Sequence, residues 1–196
     1  MKYTHQDITV IILSGGQGSR MGGRNKGLIE LEGQPFVKHI FDSANLSAAK
    51  VIISANKDIN EYKQICDIVV TDSIYPNKGP LSGVINCLPH VQTKLVMIMP
   101  CDTPRIPDNL TSRLLKEFNN HHASIAVVHD GNRQQNLFFL CRRDLLNDIP
   151  TYLDQGQSSV YGWMQHHHPL SVDFSDAKEA FSNINAIDQL TLLKNK

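Results

Sequence analysis

An apolar, β-branched run, Ile8-Thr9-Val10-Ile11-Ile12-Leu13, empties directly into a glycine-rich loop that reads Ser14-Gly15-Gly16-Gln17-Gly18-Ser19-Arg20-Met21-Gly22-Gly23-Arg24-Asn25-Lys26-Gly27. A short run of this kind, without Pro and ending in Gly, predicts a strand buried on both faces. Glycines let backbone N–H groups approach a phosphate, and Arg20 and Lys26 can neutralise it, so the loop predicts an anion site. Arg offers a bidentate fork and Lys a compact point charge. Arg24 reads as a solvated loop residue. Two common glycine motifs are excluded. A P-loop needs Ser or Thr after its lysine, whereas Gly27 follows Lys26. The dinucleotide fingerprint needs a third glycine where Met21 stands, and the next apolar strand closes in Ser54-Ala55-Asn56 rather than in an acid that would bind a ribose.

Apolar runs alternate with helical patterns along the rest of the chain. Strands are predicted at Val10–Leu13, Val51–Ala55, Ile68–Thr71, Leu95–Met99 and Ser124–His129, with two more at Asn136–Cys141 and Ser171–Phe174. Helices are predicted at about Phe36–Ala44, Leu81–Leu88 and Leu110–Phe118, with a last one from about Ile187 to Leu193. Asp130-Gly131 suggests a hairpin or tight loop. This alternation implies an α/β fold: a Rossmann-like three-layer domain with a mostly parallel central sheet and helices on both faces. No repeat or linker interrupts it, so residues 1–196 are expected to form a single domain.

Lys and Arg number 19 and Asp and Glu 19, giving a formal net charge of zero, and 41% of residues are hydrophobic. That balance argues against a nucleic-acid surface, which normally carries a basic excess; a local cluster of cations, Arg20, Arg24 and Lys26, lies in the glycine loop. No apolar run approaches a membrane span, and Met1–Asp7 lacks the apolar region of a secretory signal. A cytoplasmic protein with reduced thiols is expected. Cys66, Cys87, Cys101 and Cys141 form no C-x-x-C pair, and Cys101 reads as a buried strand-end thiol.

Asp102 follows the run Leu95–Met99, and Asp72 follows Ile68–Thr71. Ligands of open α/β sheets bind beyond the carboxyl ends of strands. Each acid is therefore placed either for Mg²⁺, which prefers oxygen ligands, or as a turn residue. Asn183 and Asn185 project to one side of an extended backbone, and Asn185 also suits a helix N-cap. His166-His167-His168 and His121-His122 read as surface loops, Tyr161 and Trp163 as core, and Lys57 as an ordinary surface lysine.

The loop matches the pattern L-x-G-G-x-x-x-R-M-G-x-x-K of nucleotidyltransferases. Gly79-Pro80-Leu81-Ser82-Gly83, Pro100-Cys101-Asp102-Thr103-Pro104, Asp130-Gly131-Asn132-Arg133 and Phe181-Ser182-Asn183-Ile184-Asn185 follow in order. From Ile8 to Leu190 the chain resembles the molybdenum cofactor guanylyltransferases. The resemblance implies transfer of GMP from GTP to the phosphate of molybdopterin cofactor, with Mg²⁺ on Asp102. It places GTP on Leu13, Ser14, Gly15, Gly16, Lys26, Asp72 and Asp102. Arg20, Lys26 and Asp102 are then the catalytic set, and Asn183 and Asn185 contact the substrate. It further implies a monomer, with molybdoenzyme maturation proteins as candidate partners. Three positions depart from the family: Asn25 where Asp is common before the loop lysine, Ser54 where Asn is common, and Asn136 where Pro is common. Another cytidylyl- or uridylyltransferase acting on a phosphorylated metabolite, and a non-catalytic nucleotide-binding regulator, are the alternatives.

Overall fold

A computed structural model describes residues 2–15 and 25–182. Its first strand, β1 (Ile8–Leu13), is buried at every position. The strand's side chains alternate between two apolar layers. Ile8, Val10 and Ile12 join one core and Ile11 and Leu13 the other, which is why the run shows no polar alternation in the sequence. Thr9, the one polar residue in it, is fully buried and its hydroxyl is hydrogen-bonded to that of Thr93 at 2.8 Å.

A two-stranded hairpin, β2 (Glu30–Leu31) and β3 (Gln34–Pro35), leads into helix α1 (Phe36–Leu46). Then come β4 (Lys50–Ser54), α2 (Ile59–Lys63), β5 (Val69–Val70), α3 (Pro80–Cys87) and β6 (Leu95–Pro100). The second half holds α4 (Leu110–Asn120), β7 (Ile125–His129), β8 (Gln134–Arg142), α5 (Ile149–Asp154), α6 (Val160–Gln165) and β9 (Leu170–Asp173). The seven-stranded sheet runs β5-β4-β1-β6-β8-β7-β9. Neighbours pair in parallel except around β8, which is antiparallel to both β6 and β7. Helices α1, α2 and α4 cover one face through Val37, Ile40, Tyr62, Leu114 and Phe118. Helices α3, α5 and α6 cover the other through Leu81, Val84, Tyr152, Leu153 and Trp163.

The expected three-layer α/β architecture is therefore present. Where the boundaries moved, they moved by one or two residues. The strand expected over Ile68–Thr71 contracts to Val69–Val70, and α1 and α4 each run two residues past their last inward apolar side chain. The hairpin and the short helices α2, α5 and α6 were not anticipated. Each is too short to carry a periodic signal, and α2, α5 and α6 hold their places by burying Tyr62, Tyr152 and Trp163 against the sheet. No described helix is long and apolar enough to cross a membrane. The expected helix over Ile187–Leu193 lies outside the described residues.

Candidate functional site

The chain runs from β1 outward to β4 and β5, then returns through α3 to β6 on the other side of β1. The order of strands thus reverses between β1 and β6, and a crevice beyond the carboxyl ends of such strands is where open α/β sheets take ligands. A cleft of about 1360 Å³ opens there, more than one drug-sized ligand normally needs. Leu13, Ser14 and Gly15 enter it from β1, Ser54 and Asn56 from β4, Asp72 from β5, and Pro100, Cys101 and Asp102 from β6. Residues far apart in sequence meet there because parallel strands present the same end to one edge of the sheet.

Lys26 opens a single 3₁₀ turn, Lys26–Leu28, and its Nζ lies 3.4 Å from Asp102 Oδ2. The separation is long for an ion pair and both side chains keep some exposure, 32% and 16%. Such a pair is weak and can exchange its partners for a ligand. The turn is fixed from beneath. The hydroxyl of fully buried Tyr62 donates to Asn25 Oδ1 at 2.7 Å, and burial pushes that hydroxyl well above its usual pKa, so it remains a donor. A Cβ on Gly27 would stand 2.5 Å from the Tyr62 hydroxyl and 3.3 Å from Ser14 Oγ, so only glycine lets the turn pack this closely on the strand end.

The Leu13 carbonyl accepts from the Cys101 amide at 3.1 Å, and the Ser14 amide donates to the Ser54 carbonyl at 2.8 Å. These bonds stitch β1 to both neighbours past the ends of the strands. Asn56 and Asp72 hold each other twice: Asn56 Nδ2 donates to Asp72 Oδ2 at 3.0 Å, and the Asp72 amide donates to Asn56 Oδ1 at 2.8 Å. Asp72 Oδ1 is buried with no hydrogen-bond partner among the described residues. Burial, then the Asp102 charge, pushes the Cys101 thiol up to about 12, so it stays protonated and inert at neutral pH, as a buried strand-end thiol should.

Sequence reasoning missed the residue that secures this end of the cleft. Asn86, buried in α3, accepts from the amides of Ser73 and Ile74 at 3.0 and 2.9 Å, and its Nδ2 donates to the carbonyls of Ile74 and Ser82 at 2.7 and 2.8 Å. It clamps the loop after Asp72 to α3. The signal was present: a lone Asn inside the apolar stretch Leu81–Leu88, where a polar residue needs partners. A second close approach helps, because a Cβ on Gly83 would come within 2.7 Å of Ser54 Oγ.

The cleft continues beyond β6 to residues that the strand-end reasoning did not select: His129, Arg133, Gln134, Gln135, Asn136 and Tyr161. Asp130 organises the turn between β7 and β8. Its Oδ1 accepts from the amides of Asn132 and Arg133, both at 2.8 Å, and its Oδ2 from Gln135 Nε2 at 2.6 Å. Burial opposes ionisation of Asp130, but these donors outweigh it and hold the carboxyl below its ordinary pKa. The tight turn expected at Asp130-Gly131 is present, with Gly131 at φ +92°.

Two readings need correction. Tyr161 is not core: it is 50% exposed and lines the cleft, because Trp163 and Val160 take the inward face of α6. Lys57 is exposed but lies on the cleft, where the loop after β4 carries it, and is no neutral surface residue. Trp163 is buried as expected. It donates through Nε1 to Asp148 at 2.7 Å, and His167 Nε2 lies 2.8 Å from the same carboxylate. Among the described residues no group of three or more His, Cys, Asp or Glu is arranged for a metal. Gly16, Arg20, Arg24, Asn183 and Asn185 lie outside the described residues.

The model of the MobA-like NTP transferase domain matches residues 10–170. A molybdenum cofactor guanylyltransferase of Shewanella piezotolerans is 36% identical over 182 residues, spanning 93% of this chain and 89% of that protein. One from Vibrio cholerae is 37% identical, spanning 94% and 90%. Among solved structures, the molybdopterin-guanine dinucleotide biosynthesis protein A of Archaeoglobus fulgidus superposes with a TM-score of 0.77 at 15% identity, over 95% of this chain and 97% of that one. A 4-diphosphocytidyl-2C-methyl-D-erythritol synthase of Anaerococcus prevotii superposes with a TM-score of 0.73 at 12% identity, over 97% and 96%.

Proposed function

The chain belongs to the MobA-like NTP transferase family and is a nucleotidyltransferase, and we propose that it transfers GMP from GTP to the phosphate of molybdopterin cofactor. The observation that carries the chemistry is the meeting of Lys26 and Asp102, 76 residues apart, at the carboxyl ends of β1 and β6. A lysine alone would serve simple phosphate binding. A strand-end carboxylate beside it suits a divalent cation held together with phosphates.

GTP occupies the half of the cleft around β1, β4 and β5. Leu13, Ser14, Gly15, Ser54, Asn56 and Asp72 supply base and ribose contacts, with Gly16 from the loop; the Leu13 carbonyl and Ser14 amide are already engaged within the sheet, so Ser14 offers its buried, unpartnered hydroxyl. The unpartnered Asp72 Oδ1 suits a nucleotide hydroxyl or N–H donor. Lys26 exchanges Asp102 for phosphate oxygens, and Arg20 adds a bidentate contact. Mg²⁺, which commonly uses one or two carboxylates and completes its shell with phosphates and water, fits the lone Asp102. Bound there it would neutralise charge on the leaving pyrophosphate.

The acceptor phosphate attacks the α-phosphorus. A new P–O bond forms, the bond to the β-phosphate breaks, and pyrophosphate departs with its electron pair. A phosphate monoester has a second pKa of about 6, so the nucleophile is already mostly dianionic at neutral pH and needs no general base. Catalysis is then alignment and charge stabilisation. Asn183 and Asn185 contact the acceptor.

Pyrophosphate release from GTP, ATP, CTP and UTP, each with and without molybdenum cofactor, tests the reading. Release only with GTP and the cofactor supports it. Preference for CTP or UTP with another phosphorylated acceptor favours the alternative transferases. Nucleotide binding without release under any pairing favours the regulator.

A further inference from the structure

We propose that Asn136 selects the acceptor, its carboxamide oxygen receiving a hydrogen bond from an N–H or O–H donor on the molecule that takes the nucleotidyl group. The inference rests on the transferase reading and adds to it a recognition element in the half of the cleft away from the glycine loop.

Three observations converge on this residue. First, its position is built by a bulge. Strands β7 and β8 pair Val127 with Phe139, but the next pair is His129 with Gln134, so the four residues Gln135 to Phe138 stand opposite Val128 alone and the ladder is interrupted at Asn136. Bulges beside sites re-aim side chains in this way. Second, the bulged segment faces the proposed chemistry. The ladder between β6 and β8 ends at Ile98 opposite Phe139, so the chain before Phe139 passes the carboxyl end of β6, where Asp102 stands, and Asn136 lines the same cleft. Third, Asn136 Oδ1 is buried and has no hydrogen-bond partner among the described residues. A buried acceptor left unpaired is costly, and native structures retain few of them without a reason.

The surroundings restrict what can bind. Gln135, the neighbour in the bulge, is held by Asp130 at 2.6 Å, so the bulged segment has a fixed anchor rather than freedom to turn Asn136 away. Tyr161 offers a half-exposed ring to the cleft, suited to a planar heteroaromatic group. Arg133, exposed at the tip of the turn, adds positive charge. The fitting acceptor is a phosphate monoester carrying a flat heterocycle with a ring N–H or amino donor. Two further buried oxygens of the cleft without a hydrogen-bond partner among the described residues, Asp72 Oδ1 and Ser14 Oγ, lie among the groups assigned to the nucleotide. In the half away from the glycine loop, Asn136 Oδ1 is the one such oxygen among the described residues.

The test compares wild-type protein with Asn136→Ala and Asn136→Asp in steady-state transfer from GTP to molybdenum cofactor, with folding checked by thermal melting. Asn136→Ala should raise KM for the acceptor about tenfold, the effect of one unpaired hydrogen bond, and leave KM for GTP and kcat within about twofold. Asn136→Asp, which keeps an oxygen at the same place, should stay closer to wild type. An unchanged acceptor KM in Asn136→Ala overturns the proposal while leaving the transferase reading intact, as does an equal rise in both variants. A rise in KM for GTP instead places Asn136 with the nucleotide and also overturns it. Absence of transfer by the wild-type protein sinks the transferase reading, and the acceptor assignment with it. If Asn136→Ala melts early, Asn136→Ser supplies the same comparison with smaller loss of packing.

Discussion

The two halves of the cleft are built on opposite principles. In the β5-β4-β1-β6 half every strand is parallel, and each delivers its functional group from its carboxyl end: Asp72, Asn56, Ser14 and Asp102. In the β8-β7-β9 half the reversed strand β8 meets the cleft with its first residues, Gln134 to Leu137, and a bulge rather than a strand end decides which way they point. The parallel half can be located from topology alone. The other half depends on one local irregularity, stabilised by one carboxylate, Asp130. On the proposed reading, the reversed strand sets the edge assigned to the nucleotide beside a differently built edge assigned to the acceptor.

If chemistry resides in the parallel half, the largest effect belongs to Asp102. Asp102→Asn keeps shape but removes charge, and kcat should fall by roughly two to three decades while GTP affinity changes little. Pyrophosphate release across a Mg²⁺ titration, with calorimetric GTP binding, measures both. Normal turnover with an unchanged Mg²⁺ dependence would make Asp102 a turn residue and move the chemistry elsewhere.

Lys26→Ala should cost about two decades in kcat/KM, against no more than a small change for Lys63→Ala, an exposed lysine on α2 away from the cleft lining. Equal behaviour of the two variants would remove the glycine loop's lysine from the mechanism.

Asn86→Ala sharpens the comparison differently, because it touches no ligand. It strips the Ser73 and Ile74 amides of their acceptor. A loss of about 1–3 kcal/mol in stability is expected for unsatisfied buried groups, with KM for GTP raised through the Asp72 loop and acceptor KM unmoved. Denaturant melts and the two KM values test it, and a matching rise in acceptor KM would show that the halves are not independent.

The smallest effect concerns Asp130. Its folded-state pKa lies below its ordinary value of 3.8. The stability it contributes is therefore complete above about pH 4 and is lost as the pH falls through the depressed value. Asp130→Asn should lower the melting temperature by a nearly constant amount from pH 5 to 8, and the gap to wild type should close in more acidic solution. A gap that widens on acidification would contradict the assignment.

How much of this was legible beforehand differs along the same line. Ile8–Leu13, Leu95–Met99 and the glycine loop announced a parallel sheet with an anion site, and Asp72 and Asp102 could be chosen because they end apolar runs. Asn86 left a readable trace as a polar residue on an apolar helix face. Asn136 stood out only as a departure from the family's usual Pro, with nothing to place it in a cleft, and Tyr161 left no trace. A bulge has no periodicity, and α6 is too short for its pattern to tell a cleft-lining Tyr161 from a buried Trp163.

The sequence by itself determined the layer order, the burial of β1 on both faces and the family, since these follow from local hydrophobic pattern and from motifs whose spacing is written in the chain. Only the tertiary structure decided that Lys26 faces Asp102, that Asn56 rather than Ser54 holds Asp72, and that Tyr62 secures the lysine turn through Asn25. It alone placed Asn136 in the cleft. Each of these contacts joins segments that are remote in sequence or depends on how one strand slips past another, and close approach of that kind is settled by packing, which no local pattern records.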